Sequence, residues 1–368
     1  MTSKTTWTRR AFLSTAGLVS ASKVIPRPLN ALSLSTRKAD LSYLACIASH
    51  LSSTDTSPRE LRAYAVRGGS WRIIARMPCT DAIGAVAIHP WHNVVYVAHD
   101  TKEYLGIPGA SVSSFALDPS SNGFVQLNRQ ALTLSATHPG HLAISPDGKA
   151  LLVAATGGGA YNALQLAPDG RILPEKRAIK LTGCGPHRLQ ASAKPVYLRF
   201  DRSGRVAYGC DFGSDRIDQI RYTDGVPHIE SYLSLASGSG PWRLAIHPSQ
   251  PRIAVVGRLN STVTVIAVDP RSARLEKIVQ QLAVNAAALT HASFCASKNE
   301  LSVAGVISAG EYAVFTFRMD SASRAIRQTE MKRFAATGFS EISNKEGRIE
   351  FPWSIHNIAA RPLYPLAR

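Results

Sequence analysis

Leu142-Ala-Ile-Ser-Pro-Asp-Gly-Lys-Ala-Leu-Leu-Val-Ala154 is an apolar run, a Pro-Asp-Gly turn and a second apolar run. Pro and Gly supply the dihedrals of a tight turn, and the aliphatic flanks suit buried, pleated backbone, so the phrase reads as a β-hairpin. It recurs as Ala85-Val-Ala-Ile-His-Pro-Trp-His-Asn-Val-Val-Tyr-Val-Ala98 and Leu198-Arg-Phe-Asp-Arg-Ser-Gly-Arg-Val-Ala-Tyr208. Two later copies are Leu244-Ala-Ile-His-Pro-Ser-Gln-Pro-Arg-Ile-Ala-Val-Val256 and Ala292-Ser-Phe-Cys-Ala-Ser-Lys-Asn-Glu-Leu-Ser-Val-Ala304. Their turn positions, Asn93, Gly148, Gly204, Gln250 and Asn299, lie 55, 56, 46 and 49 residues apart. A second, more outward hairpin follows each copy, as in Val112-Ser-Ser-Phe-Ala-Leu-Asp-Pro119 and Val263-Thr-Val-Ile-Ala-Val-Asp-Pro270. Four strands per unit, repeated in series, predict an all-β chain folded as a single β-propeller of four-stranded blades.

Five complete units run from about residue 84 to 330. Residues 41–78 hold three further strands without an innermost one, and Phe351-Pro-Trp-Ser-Ile-His-Asn-Ile358 is the candidate to supply it. That pairing gives six countable blades and a propeller domain over 41–368. A degenerate blade within 319–350 would make seven.

The chain has 368 residues, 45% hydrophobic and 18% charged, with 26 Gly and 21 Pro, a composition that excludes collagen-like and low-complexity classes. No apolar run reaches 18 residues, and no heptad pattern is sustained, so bilayer-spanning helices and coiled coils are excluded. Thr8-Arg9-Arg10-Ala11-Phe12-Leu13 has the form of a twin-arginine export signal. A short apolar stretch follows to Ser22, and no acid occurs before Asp40. Residues 1–31 are read as the signal, with cleavage after Ala31 and delivery to the periplasm or the extracellular space. Removing them takes Lys4, Arg9, Arg10, Lys23 and Arg27 from the net charge of +17 and leaves +12.

The remaining bases are scattered, with no run of five or six and no interleaved aromatics. They fit long-range attraction to anions or an acidic surface better than nucleic-acid recognition. Cys46, Cys79, Cys184, Cys210 and Cys295 are odd in number and lack a C-x-x-C, which excludes a zinc ribbon and leaves one or two disulfides open. No His, Asp or Glu cluster has metal-ligand spacing, so neither metal nor cofactor is expected. The sequence carries no signal for an oligomeric state.

Several stretches resemble the lactonase family of β-propellers, the fold of one bacterial type of 6-phosphogluconolactonase and of fungal muconate cycloisomerase. His138-Pro-Gly-His-Leu-Ala-Ile-Ser-Pro-Asp-Gly-Lys-Ala-Leu-Leu-Val-Ala154 is similar to the family's third repeat and is followed by Gly157-Gly-Gly159 and Pro168-Asp-Gly-Arg171. Cys210-Asp-Phe-Gly-Ser-Asp-Arg216 resembles its Asp-Leu-Gly-x-Asp-Arg phrase. Gly238-Ser-Gly-Pro-Trp-Arg-Leu-Ala-Ile-His-Pro248 resembles its Gly-x-Gly-Pro-Arg-His-Leu-Ala-Phe-His-Pro phrase, with Leu259-Asn-Ser-Thr-Val263 in step. The likeness spans roughly 41–318 and implies seven blades, lactone hydrolysis and a site of His, Arg and Glu in the central mouth.

Those site residues are largely replaced. The family's His-x-His falls at Lys194 and Val196, its Arg-His at Trp242-Arg243, and its Glu at Arg258. Its Ala-Glu-Ile falls at His291-Ala292-Ser293, and its Arg-Gln survives only as Arg188-Leu-Gln190. Two readings follow. In a lactonase with a redrawn site, Arg188, Arg243 and Arg258 hold the anion or oxyanion and Asp100 or His291 is the base, acting on a sugar-lactone ligand. In a non-catalytic exported propeller, Arg188, Trp242, Arg243 and Arg258 bind a small anion or a protein partner through the mouth. The ring of positions equivalent to Arg258 reads Asp100, Thr156, Phe212, Arg258 and Ile307, with Asp100 and Arg258 available as an ion pair. His89 and His247 read as turn residues, and Asp211 and Asp215 as turn anchors. Gly157-Gly-Gly159 reads as a hairpin turn. Ser-His-Asp catalysis is not expected, because no Gly-x-Ser-x-Gly elbow occurs.

Overall fold

The computed structural model describes residues 42–49, 59–67, 70–118, 121, 123–223, 225–295, 299–309, 311–320, 325–335 and 355–362. The expected export signal over 1–31 lies outside them, as does 336–354.

Strands appear wherever the apolar phrases stand. The first segment forms β1 (Ser42–Ser49), β2 (Glu60–Arg67) and β3 (Ser70–Pro78). The second unit forms β4 (Ile83–Ile88) and β5 (Val94–His99), a small hairpin β6 (Glu103–Tyr104) and β7 (Ile107–Pro108), then β8 (Ser111–Asp118) and β9 (Gly123–Ala131). The third has β10 (Thr137–Ile144), β11 (Ala150–Gly157), β12 (Ala160–Leu166) and β13 (Ile172–Lys180). The fourth has β14 (Pro195–Phe200), β15 (Val206–Asp211), β16 (Arg216–Thr223) and β17 (Val226–Ser234). The fifth has β18 (Pro241–Ile246), β19 (Arg252–Gly257), β20 (Thr262–Val268) and β21 (Leu275–Ala283). The sixth has β22 (Ala288–Cys295), β23 (Glu300–Ser308), β24 (Glu311–Met319) and β25 (Ile326–Ala335), and the last strand is β26 (Ile355–Pro362).

Among the described residues these make six antiparallel four-stranded sheets. The first is ordered β26-β1-β2-β3, so a strand from the end of the chain is the innermost strand of the sheet that opens it. This is the pairing expected from the sequence, with one correction. The described strand is Ile355–Pro362 and extends past Ile358, because β1 sets the register at Ile47↔Ile358, Cys46↔Ala359 and Ala45↔Ala360, while residues 351–354 lie outside the described residues. The exchange covers an edge of β1 that would otherwise offer an unpaired ladder to another chain.

The core lies between sheets. β5 is buried along its whole length, whereas the outer strands β13 and β17 alternate toward solvent. This is why the inner phrases are continuous apolar runs and the outer ones are mixed. Leu44, Cys46 and Leu61 pack with Val95, Val97 and Phe115 between the first two sheets. Tyr96 and Val112 meet Leu151, Val153 and Leu164 between the next two. One large cluster joins the fourth, fifth and sixth, including Cys210, Trp242, Leu244 and Phe315.

Buried polar groups bridge the same gaps. The Tyr96 hydroxyl donates to Gly170 O at 2.9 Å, Tyr161 to Asp218 Oδ2 at 3.0 Å and Tyr208 to Ala273 O at 2.6 Å. Gln280 Nε2 donates to Ile326 O at 2.9 Å. All five cysteines are free thiols: Cys46 and Cys210 are buried in the core, Cys79 and Cys295 are half-buried, and Cys184 is exposed.

Candidate functional site

Five inner strands carry the same irregularity. The ladder slips by one residue between Ile83 and Ala85, Pro139 and His141, Pro195 and Tyr197, Pro241 and Arg243, and Leu289 and His291. In three of the five the residue before the slip is a proline, which has no N–H to give the ladder, and in all five the bulge re-aims the next side chain. The five residues after the bulge are therefore equivalent: Ala85, His141, Tyr197, Arg243 and His291. Their successors Leu142, Leu198, Leu244 and Ala292 are buried between sheets. His141, Tyr197 and Arg243 are only half-buried and His291 is exposed. They line the central channel, surrounded by protein yet reached by solvent along the axis.

His141, Tyr197 and Arg243 touch in series. The rings of His141 and Tyr197 are 4.1 Å apart between centroids, and Arg243 Cζ lies 5.1 Å from the Tyr197 ring. Arg243 also sits 5.0 Å from the Trp242 ring and donates from its Nη1 to Trp242 O at 2.9 Å. Arg258 stacks over the same indole at 4.4 Å and is buried. Trp242 thus serves two guanidiniums, a use of the aromatic face that tolerates like charges close together. Backbone N–H of Leu198 donates to His141 Nδ1 at 3.4 Å, which leaves the ring proton on Nε2.

Charge on the inner strands is one-sided. Desolvation by the protein that surrounds the channel, and then the positive fields of Arg243 and Arg199, hold His291 down at about 4. His141 is pushed well below the usual imidazole range by burial, Arg243, Arg199 and His291, in that order. Arg258 is lowered to about 10 by burial and by Arg243. At neutral pH the histidines are uncharged proton acceptors beside fixed cations. The inner strands β4, β10, β14, β18 and β22 contain no Asp or Glu. This suits an anion, whose oxygens would take the guanidinium donors.

Other expected site residues fall elsewhere. Asp100 does not pair with Arg258. His138 Nδ1 takes it at 2.7 Å, because the turn after β5 delivers the carboxylate to the start of β10. Arg188 lies exposed on the loop between β13 and β14. The ring position assigned to Ile307 is occupied by Val306, since Leu289↔Gly305 matches Pro241↔Gly257 in register. His89 and His247 are turn residues, their Nδ1 atoms accepting two backbone N–H groups each. Asp211 accepts from Lys194 and Gly213 N–H, and Asp215 from Gly238 and Gly240 N–H, so both anchor loops.

Ser113, His99 and Asp81 do meet: His99 Nε2 is 2.8 Å from Ser113 Oγ, and its Nδ1 is 3.5 Å from Asp81. Ser113 is 1% exposed, however, so its hydroxyl is closed to a substrate. Among the described residues no group of His, Cys, Asp and Glu side chains could hold a metal ion.

The sequence reading missed His141, Tyr197 and Arg199. The signal was present: the residue just before each Leu-Ala-Ile-type phrase is the one aimed at the axis.

Fold and channel together define a β-propeller with a cationic, histidine-bearing axial site. The profile of the lactonase family of seven-bladed β-propellers matches residues 52–333, and the chain belongs to that family. A 6-phosphogluconolactonase of Pectobacterium carotovorum is 24% identical over 177 residues, 48% of this chain and 50% of that protein. The chain therefore spans about half the length of the curated relatives it matches. A candidate 6-phosphogluconolactonase from Bacteroides fragilis superposes with a TM-score of 0.71 at 16% identity, covering 88% of this chain and 98% of that one. The periplasmic gluconolactonase PpgL of Pseudomonas aeruginosa gives 0.65 at 20% identity, covering 79% and 83%. At these identities the structural likeness speaks for the fold.

Proposed function

We propose that the axial channel binds an anionic sugar acid or its lactone and opens the lactone ring. The observation that carries this reading is the ring of His141, Tyr197, Arg243 and His291, equivalent by register, with Arg199 beside it. Arg243 and Arg199 receive the substrate's phosphate or carboxylate, or the oxygen of its carbonyl as charge develops there. His291 takes a proton from water, whose oxygen bonds to the carbonyl carbon. The ring C–O bond then breaks, and the imidazolium returns its proton to the departing alkoxide. An anion between the guanidiniums also cancels the field that depresses His291, so the base strengthens when substrate is bound.

A second reading is binding without turnover. The lack of Asp and Glu on the inner strands β4, β10, β14, β18 and β22 favours it. Acid release from 6-phosphogluconolactone and gluconolactone, corrected for spontaneous opening, separates the two. Hydrolysis that His291→Gln lowers by about 100-fold supports catalysis. Binding of gluconate with no acid release supports the second reading. Neither binding nor turnover refutes both.

Export completes the proposal and rests on Arg9-Arg10 and the apolar stretch behind them.

A further inference from the structure

The turns that follow the inner strands gather at the end of the sheets away from the channel ring. Three of them lie side by side: His89–Asn93, Ser145–Lys149 and Asp201–Arg205. His89 Nδ1 accepts from the Trp91 and His92 N–H groups at 3.1 and 3.0 Å, and its Nε2 donates to Gly148 O at 3.1 Å. The Trp91 indole N–H donates across to Pro146 O at 3.1 Å, which pins the ring on the neighbouring turn. A cavity of about 720 Å³ opens here, walled by Trp91, Asp147, Lys149, Gln165, Arg205 and Tyr222. That is within the range of roughly 300–1,000 Å³ that small ligands occupy.

Trp91 is the informative residue. It is 57% exposed, while the matching positions of the other turns hold Asp147, Ser203 and Ser249. The same turn forms with Asp or Ser at that position, so the hairpin itself does not require an indole.

We propose that this cavity binds a short oligosaccharide bearing an acidic sugar, stacked on Trp91. A pinned indole presents a flat apolar face to the C–H face of a pyranose ring at little cost in side-chain freedom. Sugar hydroxyls both donate and accept, and the wall offers both: the Asp147 carboxylate, the Gln165 amide and the Tyr222 hydroxyl. Burial and the nearby Asp147 charge raise the Tyr222 phenol above its ordinary value, so it stays a donor. Lys149 and Arg205 outnumber Asp147, which selects a ring carrying a carboxylate. This site is independent of the lactone reading, lying at the other end of the inner strands.

The test is titration calorimetry and tryptophan fluorescence on the full chain with trigalacturonate and maltotriose. The inference predicts binding of trigalacturonate in preference to maltotriose. Trp91→Ala should weaken it about tenfold or more, and so should Lys149→Ala with Arg205→Ala. Arg318→Ala, an exposed base on β24 outside both sites, should leave it unchanged. No trigalacturonate binding, equal binding of maltotriose, indifference to both cavity variants, or loss with Arg318→Ala overturns the inference.

Discussion

Gly209→Ala tests whether neighbouring sheets interlock as described. Gly209 lies on β15, and a Cβ built there would stand 2.6 Å from Tyr161 Cζ and overlap its hydroxyl. Tyr161 belongs to β12 of the preceding sheet and is fully buried. Its hydroxyl donates to Asp218, which Arg216 Nε holds from the other side at 2.8 Å. The methyl group must displace the ring, and overpacking of this kind costs about 1–3 kcal/mol. If the ring moves, the buried Asp218 oxygen loses its donor, a further ~1–3 kcal/mol. The expected destabilisation is roughly 2–6 kcal/mol, a large share of the ~5–15 kcal/mol that holds a native fold. Urea unfolding followed by circular dichroism measures it. Tyr161→Phe removes the same hydrogen bond without the clash, and a bond can be lost only once. The double variant should therefore fall short of the sum of the singles by about 1 kcal/mol. A loss under ~0.5 kcal/mol for Gly209→Ala, or strict additivity, would refute the interlock.

Asp218 gives a pH signature: burial outweighs Arg216 and raises its carboxyl to about 7, so the folded protein holds a proton that the unfolded chain has already released. Its stabilising contribution is present at low pH and is lost as pH rises toward and through 7, so stability relative to Asp218→Asn should fall over that window in chemical unfolding. Deleting residues 355–368 uncovers the edge of β1 and should lower the midpoint of thermal unfolding and promote aggregation; unchanged melting and light scattering would contradict the pairing of β26 with β1. Replacing Arg9 and Arg10 together by Lys should leave unprocessed precursor in the cytoplasm, and normal processing on immunoblots would remove the export proposal.

The hairpin repeat was legible because each copy holds its own turn and its own apolar flanks, which are local properties. The pairing of the last strand with β1 was legible for a different reason: three strands at 41–78 needed an innermost partner. Its register was not, since the alignment of Ile358 on Ile47 depends on two distant segments meeting. The site was harder. Trp242, Arg243 and Arg258 could be picked out because they replace residues of a resembled motif, and they do meet. Asp100 was assigned to Arg258 by equivalence around the ring, but His138 on the adjacent strand is nearer and takes it. His141 and Tyr197 escaped notice because a bulge, invisible in composition, decides which residue of an apolar phrase faces the axis. Arg199 escaped because it looks like an ordinary surface base between Leu198 and Phe200.

The central claim is that the residue after each bulge builds an anion site on the axis. Calorimetry with 6-phosphogluconate on the wild type, Arg243→Ala and Arg199→Ala tests it most directly. The account predicts one site that weakens with added salt, is lost in Arg243→Ala and is reduced in Arg199→Ala. Binding that both variants leave intact, or no binding at low ionic strength, would contradict it.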